Sequence, residues 1–161
     1  MFTIKELDNS YCNAITELIL PIQQVEFNVP VTLESQPDLL DIETTYIRPG
    51  GNFWGAFSEN VLVGTIALMH AGPIGAIRKM FVRKEHRGAR PGIAGELLDT
   101  LIRYSRQQQL QALYLGTVEQ LKAAQRFYEK NGFTRIAEAA LPAVFPKMPV
   151  DNIFYYRTLK N

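Results

Sequence analysis

The stretch MFVRKEHRGARPGIAGELL, residues 80–98, decides how the rest of the sequence is interpreted. It joins a strand-like segment, through a basic loop, to the start of an amphipathic helix. Pro91 suits the first position of that helix, because its ring fixes φ and the N–H it lacks would have had no partner there. The amides of Gly92, Ile93 and Ala94 are then unpaired donors where the helix macrodipole adds about half a positive charge. The pattern predicts an anion site.

The glycines and charges of this stretch agree with an anionic ligand. Gly92 lets a ligand approach the backbone, and Gly95 weakens a helix by roughly 1 kcal/mol relative to alanine, which indicates close approach by a ligand or a neighbour. Residues 78–90 contain six arginines and lysines against one acid, in a chain of net charge +1. An ordinary turn with a solvated basic face is the alternative. The spacing matches neither a Walker loop nor GxGxxG.

The composition narrows the class of protein. A length of 161 residues predicts one domain over residues 1–161. The single cysteine, Cys12, excludes an internal disulfide, and the two histidines leave no metal-ligand spacing, so we expect no metal. The start MFTIKELD lacks the apolar run of a secretory leader, and residues 61–69 are too short for a membrane helix of about 20 residues. We therefore expect a cytoplasmic protein with no membrane partner.

The rest of the sequence predicts a sheet covered by helices. We expect strands at residues 2–7, 52–57, 61–69, 76–82, 110–117, 133–136 and 153–159, and a hairpin turn at 58–60. Helical patterns run from an N-cap at residues 8–10 to Pro21, over 93–106, and from about 119 to 131, with a shorter one at 39–46. Gly132 suits a left-handed C-cap. The fold class is α/β (α+β), a mixed, mostly antiparallel sheet of about seven strands with helices on both faces.

Two motifs in order carry a family resemblance. The first is the opening stretch, and the second is LYLGTVEQLKAAQRFYEKNGF at residues 113–133. Together they resemble the GNAT superfamily of acyl-CoA-dependent N-acetyltransferases, and the likeness covers nearly the whole chain. It implies a GNAT-like fold and direct transfer of an acetyl group from acetyl-CoA, the cosubstrate, to a primary amine. A non-catalytic acyl-CoA-binding domain of the same fold is the alternative.

The resemblance also implies which residues bind acetyl-CoA. The pantetheine arm would pair with backbone near the end of a strand, and the pyrophosphate would meet the amides that follow. The implied residues are Phe81, Val82, Arg87, Gly88, Ala89, Arg90, Gly92, Ile93 and Ala94. Arg87 lies five residues before Gly92, whereas the family motif has three. Leu121 stands where many members carry an asparagine, so Thr117 is a candidate for the lost pantetheine contact.

The same resemblance gives Tyr128 a catalytic role. It aligns with the family tyrosine near the thioester sulfur, and a phenol with a pKa of about 10 stays protonated at neutral pH, ready to donate to the leaving thiolate. The alternative is that Tyr128 only packs beside Phe127. A backbone amide near Val82 would polarise the thioester carbonyl. The general base stays open among Glu26, Glu43, Glu119, Asp151 and His70, any of which can equally be a surface or capping residue.

Acceptor recognition is expected from residues 27–46 and 140–151. Phe27, Tyr46, Phe145 and Phe154 would form an apolar wall, and Glu26, Glu34 and Asp151 would attract a cation, unless these residues are core and surface. The acceptor is a small-molecule or peptide amine that the sequence does not identify. We expect no nucleic-acid partner, because the basic segment is short and lacks exposed aromatics. The strand NIFYYRTL could pair between subunits to give a homodimer.

Overall fold

The computed structural model describes residues 1–88 and 92–159. The strands are β1 (Thr3–Glu6), β2 (Asn52–Ser58), β3 (Val61–Ala71), β4 (Ile74–Val82), β5 (Ala112–Thr117), β6 (Thr134–Ile136) and β7 (Ile153–Thr158). They form one sheet of seven strands in the order β1-β2-β3-β4-β5-β7-β6. The α-helices are α1 (Cys12–Pro21), α2 (Ile93–Gln107) and α3 (Lys122–Lys130). The predicted mixed sheet of about seven strands is confirmed.

The first four strands form an antiparallel meander. The turn between β2 and β3 places Glu59 and Asn60 at φ values of 51° and 67°. A two-residue turn of this kind has the twist that suits a tight hairpin. The hairpin predicted at residues 58–60 is therefore present.

Helices cover both faces of the sheet, because successive strand residues point to opposite sides. On β2, Phe53 packs in the same apolar cluster as Ile15 of α1. The next residue, Trp54, packs in the cluster that holds Leu97 of α2 and Tyr128 of α3. The helix α1 thus lies on one face, and α2 and α3 lie on the other, as the sequence predicts.

The sheet opens between β4 and β5. These parallel strands pair only over Ile74–Ala76 and Ala112–Tyr114, and beyond that point they run on without pairing to each other. We call the resulting gap the wedge; it lies between residues 77–82 and 115–117. The strand β7 lies between β5 and β6 and pairs with both. The segment NIFYYRTL, which could pair between subunits according to the sequence, contains β7, and both edges of β7 already pair within the chain.

A bulge in β4 marks the start of the wedge. Thr65 lies opposite Phe81 and Ala67 opposite Arg78, so Ile66 faces both Lys79 and Met80. Lys79 has a φ of 54°, and its carbonyl accepts a hydrogen bond of 2.7 Å from the Thr65 hydroxyl. An extra residue bends a strand and increases its twist. The sequence does not predict this bulge, because lysine has no particular preference for the left-handed region.

Two predicted helices differ in detail. The pattern at residues 39–46 is a 3₁₀ turn at Pro37–Leu40 followed by a π-helical turn at Glu43–Ile47, because Asp41 between them has an extended φ of −156°. The helix α3 begins at Lys122 rather than near 119, since Leu121 has a non-helical ψ of 66°. Gly132 has a φ of 88°, which confirms the C-cap. No helix within the described ranges combines the length and the apolar character needed to cross a bilayer.

Candidate active site

Two adjoining cavities open from the wedge. The large cavity, of about 620 Å³, is lined by residues 80–82, 86–88 and 92–95 and by α3 side chains that include Phe127 and Tyr128. The small pocket, of about 110 Å³, is lined by residues 77–81 and 116–118 and by Gln23, Val29, Val31, Gln36, Met148, Val150 and Asp151. The residues common to both are Met80, Phe81, Leu121, Ala124 and Tyr128.

Most of the residues assigned to cofactor binding from the sequence lie together. Those that line the large cavity are Phe81, Val82, Arg87, Gly88, Gly92, Ile93 and Ala94. Thr117 is buried and lines the small pocket instead. Ala89 and Arg90, as well as Pro91, lie outside the described residues. The sequence does not single out Met80 or Ala124, because small and apolar residues at a cavity wall resemble core residues.

The N-terminus of α2 presents unused backbone donors to the large cavity. The first amide that bonds back to the start of the helix is that of Glu96, which donates to the Gly92 carbonyl at 3.2 Å. Among the residues that the structure describes, no side chain caps this end. The amides of Ile93, Ala94 and Gly95 therefore have no partner within the helix. A Cβ on Gly95 would meet no heavy atom within 4 Å, so close packing does not explain this glycine.

Arg87 is held at the mouth of the large cavity. Its Nε donates to the Val82 carbonyl at 2.8 Å, and its Nη2 donates to Glu26 Oε1 at 2.7 Å. The guanidinium also lies 5.4 Å from the centre of the Phe27 ring. The hydrogen bond from Arg87 lowers the pKa of Glu26. Glu26 is thus an ion-pair partner, which removes it from the candidates for a free base.

Tyr128 lies at the wall that the two cavities share. Its ring packs against Phe127, Phe133 and Tyr155. Burial raises its pKa above the ordinary value of a phenol, so the hydroxyl carries its proton at neutral pH. That hydroxyl has no hydrogen-bond partner among the described residues. Its proton is therefore available to a group in either cavity.

Lys79, which lines the small pocket, belongs to a buried ion pair. Lys79 Nζ lies 3.6 Å from Asp38 Oδ2 and donates to the Gln36 side-chain carbonyl. The Tyr46 hydroxyl donates to the same Asp38 oxygen at 2.6 Å. Burial lowers the pKa of Lys79 to about 8. No local pattern in the sequence predicts this cluster, because residues 36–46 and 79 lie far apart along the chain.

Among the five candidates for a general base, only Asp151 lines either cavity. Glu43 instead accepts from the Asn9 amide at 2.9 Å, and His70 Nε2 lies 3.1 Å from the Gly72 carbonyl. Burial raises the pKa of Asp151 to about 6. This carboxyl is thus largely ionised at neutral pH, in a position to accept a proton.

The predicted acceptor segments contribute to the small pocket, although through other side chains than expected. Tyr46, Phe145 and Phe154 are buried in the core, and Phe27 packs beneath Arg87. Glu34 is exposed. The segments instead supply Gln36 and Asp151 to the pocket wall. Within residues 1–88 and 92–159, no group of His, Cys, Asp and Glu side chains has an arrangement suited to a metal ion.

Comparison with known proteins gives the family. A model described as the acetyltransferase (GNAT) family matches residues 16–133. The chain belongs to the GNAT acetyltransferase family. A GNAT acetyltransferase from Staphylococcus aureus Mu50 is 42% identical, with a TM-score of 0.95 over 99% of this chain and 100% of that one. The family match and this fold confirm the predicted family and fold class, and acetyl-CoA is the acyl donor of GNAT enzymes.

More distant relatives share the fold or part of the sequence. A GNAT fold with a TM-score of 0.72 and 15% identity, covering 98% of this chain and 99% of that one, is the PaiA N-acetyltransferase of Thermoplasma acidophilum in complex with coenzyme A. N-acetylaspartate synthetase of Danio rerio is 32% identical over 73% of this chain. The chain spans 43% of that relative's length.

Proposed function

We propose that this GNAT protein transfers an acetyl group from acetyl-CoA directly to an amine, with the donor in the large cavity and the acceptor in the small pocket. The observation that carries the proposal is the position of Tyr128 at the wall common to both spaces. A donor and an acceptor on either side of this wall would meet beside one phenol. Proximity of this kind supplies a large part of the rate enhancement of group transfer.

The large cavity fits acetyl-CoA in both charge and shape. The amides of Ile93, Ala94 and Gly95 have no partner within α2 and lie at its N-terminus, which favours phosphate. Glycines at 88, 92 and 95 leave the backbone open on this side. The ends of β4 and β5 are unpaired toward each other, so backbone groups near Phe81 and Val82 can bond the amides of a pantetheine arm. Bound acetyl-CoA supplies the activated thioester.

Tyr128 of this chain then supplies the proton that the leaving thiolate needs. Tyr128 keeps its proton until a thiolate departs, because burial raises its pKa, and it donates that proton to the sulfur. A backbone N–H near Val82 polarises the acyl carbonyl. The apolar wall formed by Leu121, Ala124 and Phe127 excludes water from the thioester.

The experiment is a comparison of Tyr128→Phe with Tyr156→Phe as the matched control. Tyr156 stacks on Tyr114 at the surface of the sheet and lines neither cavity. Loss of a general acid lowers kcat by about 10² to 10⁴, so Tyr128→Phe is expected to lower CoA thiol release from acetyl-CoA in that range. The affinity for acetyl-CoA, followed by calorimetry, is expected to stay within about twofold because the ring remains.

Two outcomes contradict the proposal. If acetyl-CoA neither binds nor raises the melting temperature of the protein, the large cavity is not a donor site. If acetyl-CoA binds but no amine in a broad panel yields free thiol, the chain is an acyl-CoA-binding domain of the same fold. The two departures from the family motif, at Leu121 and in the longer turn after Arg87, would then be the reason for the lack of activity.

A further inference from the structure

The small pocket is lined by one cation and one anion that have no ion-pair partner within the described chain. Its charged lining residues are Arg78, Lys79 and Asp151. Lys79 is neutralised by Asp38, 3.6 Å away. No carboxylate of the described residues lies within ion-pair distance of Arg78, and no cation lies within that distance of Asp151. One positive and one negative group are thus left facing the same small space.

Arg78 has only weak acceptors around it. Its Nη1 lies 2.8 Å from the sulfur of Met69, and its Nη2 lies 2.8 Å from the sulfur of Met148. A thioether is a poor acceptor, whereas a guanidinium offers five donors in a fork that fits a carboxylate. A half-buried guanidinium with unused donors favours an anionic ligand. In this pocket the anion has to come from the acceptor.

Asp151 lies close against Gly116 of β5. Its Oδ2 lies 2.5 Å from the point where a Cβ on Gly116 would be, so only glycine at that position of β5 leaves room for the carboxylate. The charged groups around it are Arg78 and Lys79 from β4 and Lys147 from its own loop. These cations lower its pKa, but burial is the larger effect and raises the value to about 6.

We infer that the acceptor is an amine that also carries a carboxylate, as an amino acid does, with Arg78 binding the carboxylate and Asp151 receiving the ammonium group. This inference deepens the proposed function and rests on it. The volume of about 110 Å³ suits a small zwitterion. A polypeptide N-terminus has no carboxylate beside its amine and would leave Arg78 unpaired.

The proton and bond changes balance with these residues. The ammonium group gives one proton to Asp151, and the neutral nitrogen forms a C–N bond to the acetyl carbon. As the C–S bond breaks, the sulfur takes the Tyr128 proton, and the second proton lost from nitrogen restores the phenol. Asp151 releases its proton to solvent, so one proton is produced for each amide formed.

The test uses matched pairs of acceptors with the intact protein. Alanine is compared with ethylamine, leucine with isopentylamine and phenylalanine with phenethylamine, each followed by CoA thiol release. A desolvated charge pair is worth about 30-fold or more in binding, so at least one amino acid is expected to exceed its amine by that factor in kcat/KM. Equal rates within every pair would overturn the inference while the proposed function stands. No thermal shift with acetyl-CoA and no thiol release with any amine would instead remove the proposed function.

Variants locate the effect in the pocket. Arg78→Gln is expected to raise KM for the preferred amino acid about 30-fold with little change in kcat, and Arg106→Gln, on the exposed side of α2, is expected to change neither. Arg78→Lys keeps the charge and should recover part of the loss; it replaces Arg78→Gln if that variant fails to fold. An unchanged KM in both Arg78 variants would overturn the role of Arg78.

Asp151→Asn separates proton transfer from binding of the carboxylate. It is expected to lower kcat by about 10²-fold or more and to remove the acidic limb of the pH profile of kcat/KM near pH 6, where the Asp151 carboxyl titrates. The matched control, Asp99→Asn on the exposed face of α2, should keep that limb. An acidic limb that persists unchanged in Asp151→Asn would overturn the role of Asp151.

Discussion

The large cavity and the small pocket meet at Tyr128, but different kinds of chemical group line them. The large cavity consists of strand ends, glycines and helix amides, with apolar side chains on α3. The small pocket is bordered by charged side chains, and the ion pair of Lys79 with Asp38 beside it is nearly inaccessible to solvent. Backbone amides can bind any ligand that carries phosphate and amide groups. Charged side chains at fixed positions instead select a ligand whose charges match theirs. The comparison indicates that donor binding depends on chain conformation and acceptor binding on side-chain identity.

The strongest way to break the small pocket is to remove half of its ion pair. Lys79 and Asp38 are each 8% exposed, and an uncompensated buried charge destabilises a protein by about 4 kcal/mol. We therefore expect Asp38→Ala to lower the free energy of unfolding by about that amount in urea titrations. The variant also leaves the Tyr46 hydroxyl without its acceptor.

The matched change at the large cavity should be much milder. The Arg87 and Glu26 side chains are 32% and 24% exposed, and such pairs contribute about 1 kcal/mol or less. Glu26→Ala is thus expected to lower the free energy of unfolding by no more than that. Equal losses in Asp38→Ala and Glu26→Ala would contradict the contrast between the two regions.

A second prediction concerns the pH dependence of stability at Asp151. Burial raises its pKa from 3.8 to about 6 in the folded state, so the folded protein holds a proton that the unfolded chain has lost. Stability from this group is therefore full below pH 4 and falls as pH rises through 6. Asp151→Asn is expected to be about 3 kcal/mol more stable than the parent at pH 8 and equal to it near pH 4.

Thermal unfolding at the two pH values measures this difference. Asp99→Asn, at an exposed position, is expected to follow the parent protein at both. If Asp151→Asn is no more stable than the parent at pH 8, the Asp151 carboxylate is solvated. The charged groups of the small pocket would then be as exposed to solvent as those at the mouth of the large cavity.

The smallest expected effect concerns Gly95, whose backbone lines the large cavity. A Cβ on Gly95 meets nothing within 4 Å, and alanine stabilises a helix interior by about 1 kcal/mol relative to glycine. Gly95→Ala should therefore raise the free energy of unfolding by about 1 kcal/mol and weaken acetyl-CoA binding, because the methyl group enters the large cavity. Calorimetric titration with acetyl-CoA and urea unfolding measure both effects.

The control for this change is Asp99→Ala on the exposed face of the same helix. It alters helix propensity without touching a cavity, so acetyl-CoA affinity should be unchanged. If Gly95→Ala bound acetyl-CoA as tightly as the parent, the glycine would have no connection with the ligand.

The difference between the two regions also explains what the sequence could predict. The large cavity comes mainly from residues 80–82, 86–88 and 92–95 and from α3, so its residues form local motifs that are recognisable along the chain. Glycine, proline and helix periodicity each have a direct effect on the backbone, which is why the strands, α2 and the C-cap at Gly132 were predicted correctly.

The small pocket could not be predicted in the same way. Gln36, Arg78, Thr117 and Asp151 come from four separate elements, and no local pattern records that they meet. Their meeting depends on the wedge and on the bulge at Lys79, which follow from strand pairing across the sheet. In the sequence, Arg78 and Lys79 belong to the basic segment that predicts a phosphate site, whereas in the structure both line the small pocket.

The wedge has a further consequence for how copies of the protein meet. The outer strands of the sheet, β1 and β6, are four and three residues long, so they offer little for another strand to join. The edge of β4 over residues 77–82, which does not pair with β5, is longer than either of them, and it lies inside the sheet, where it faces the two cavities. Exposed strand edges promote aggregation between molecules. In this sheet the long unpaired edge of β4 therefore faces a ligand site rather than other chains.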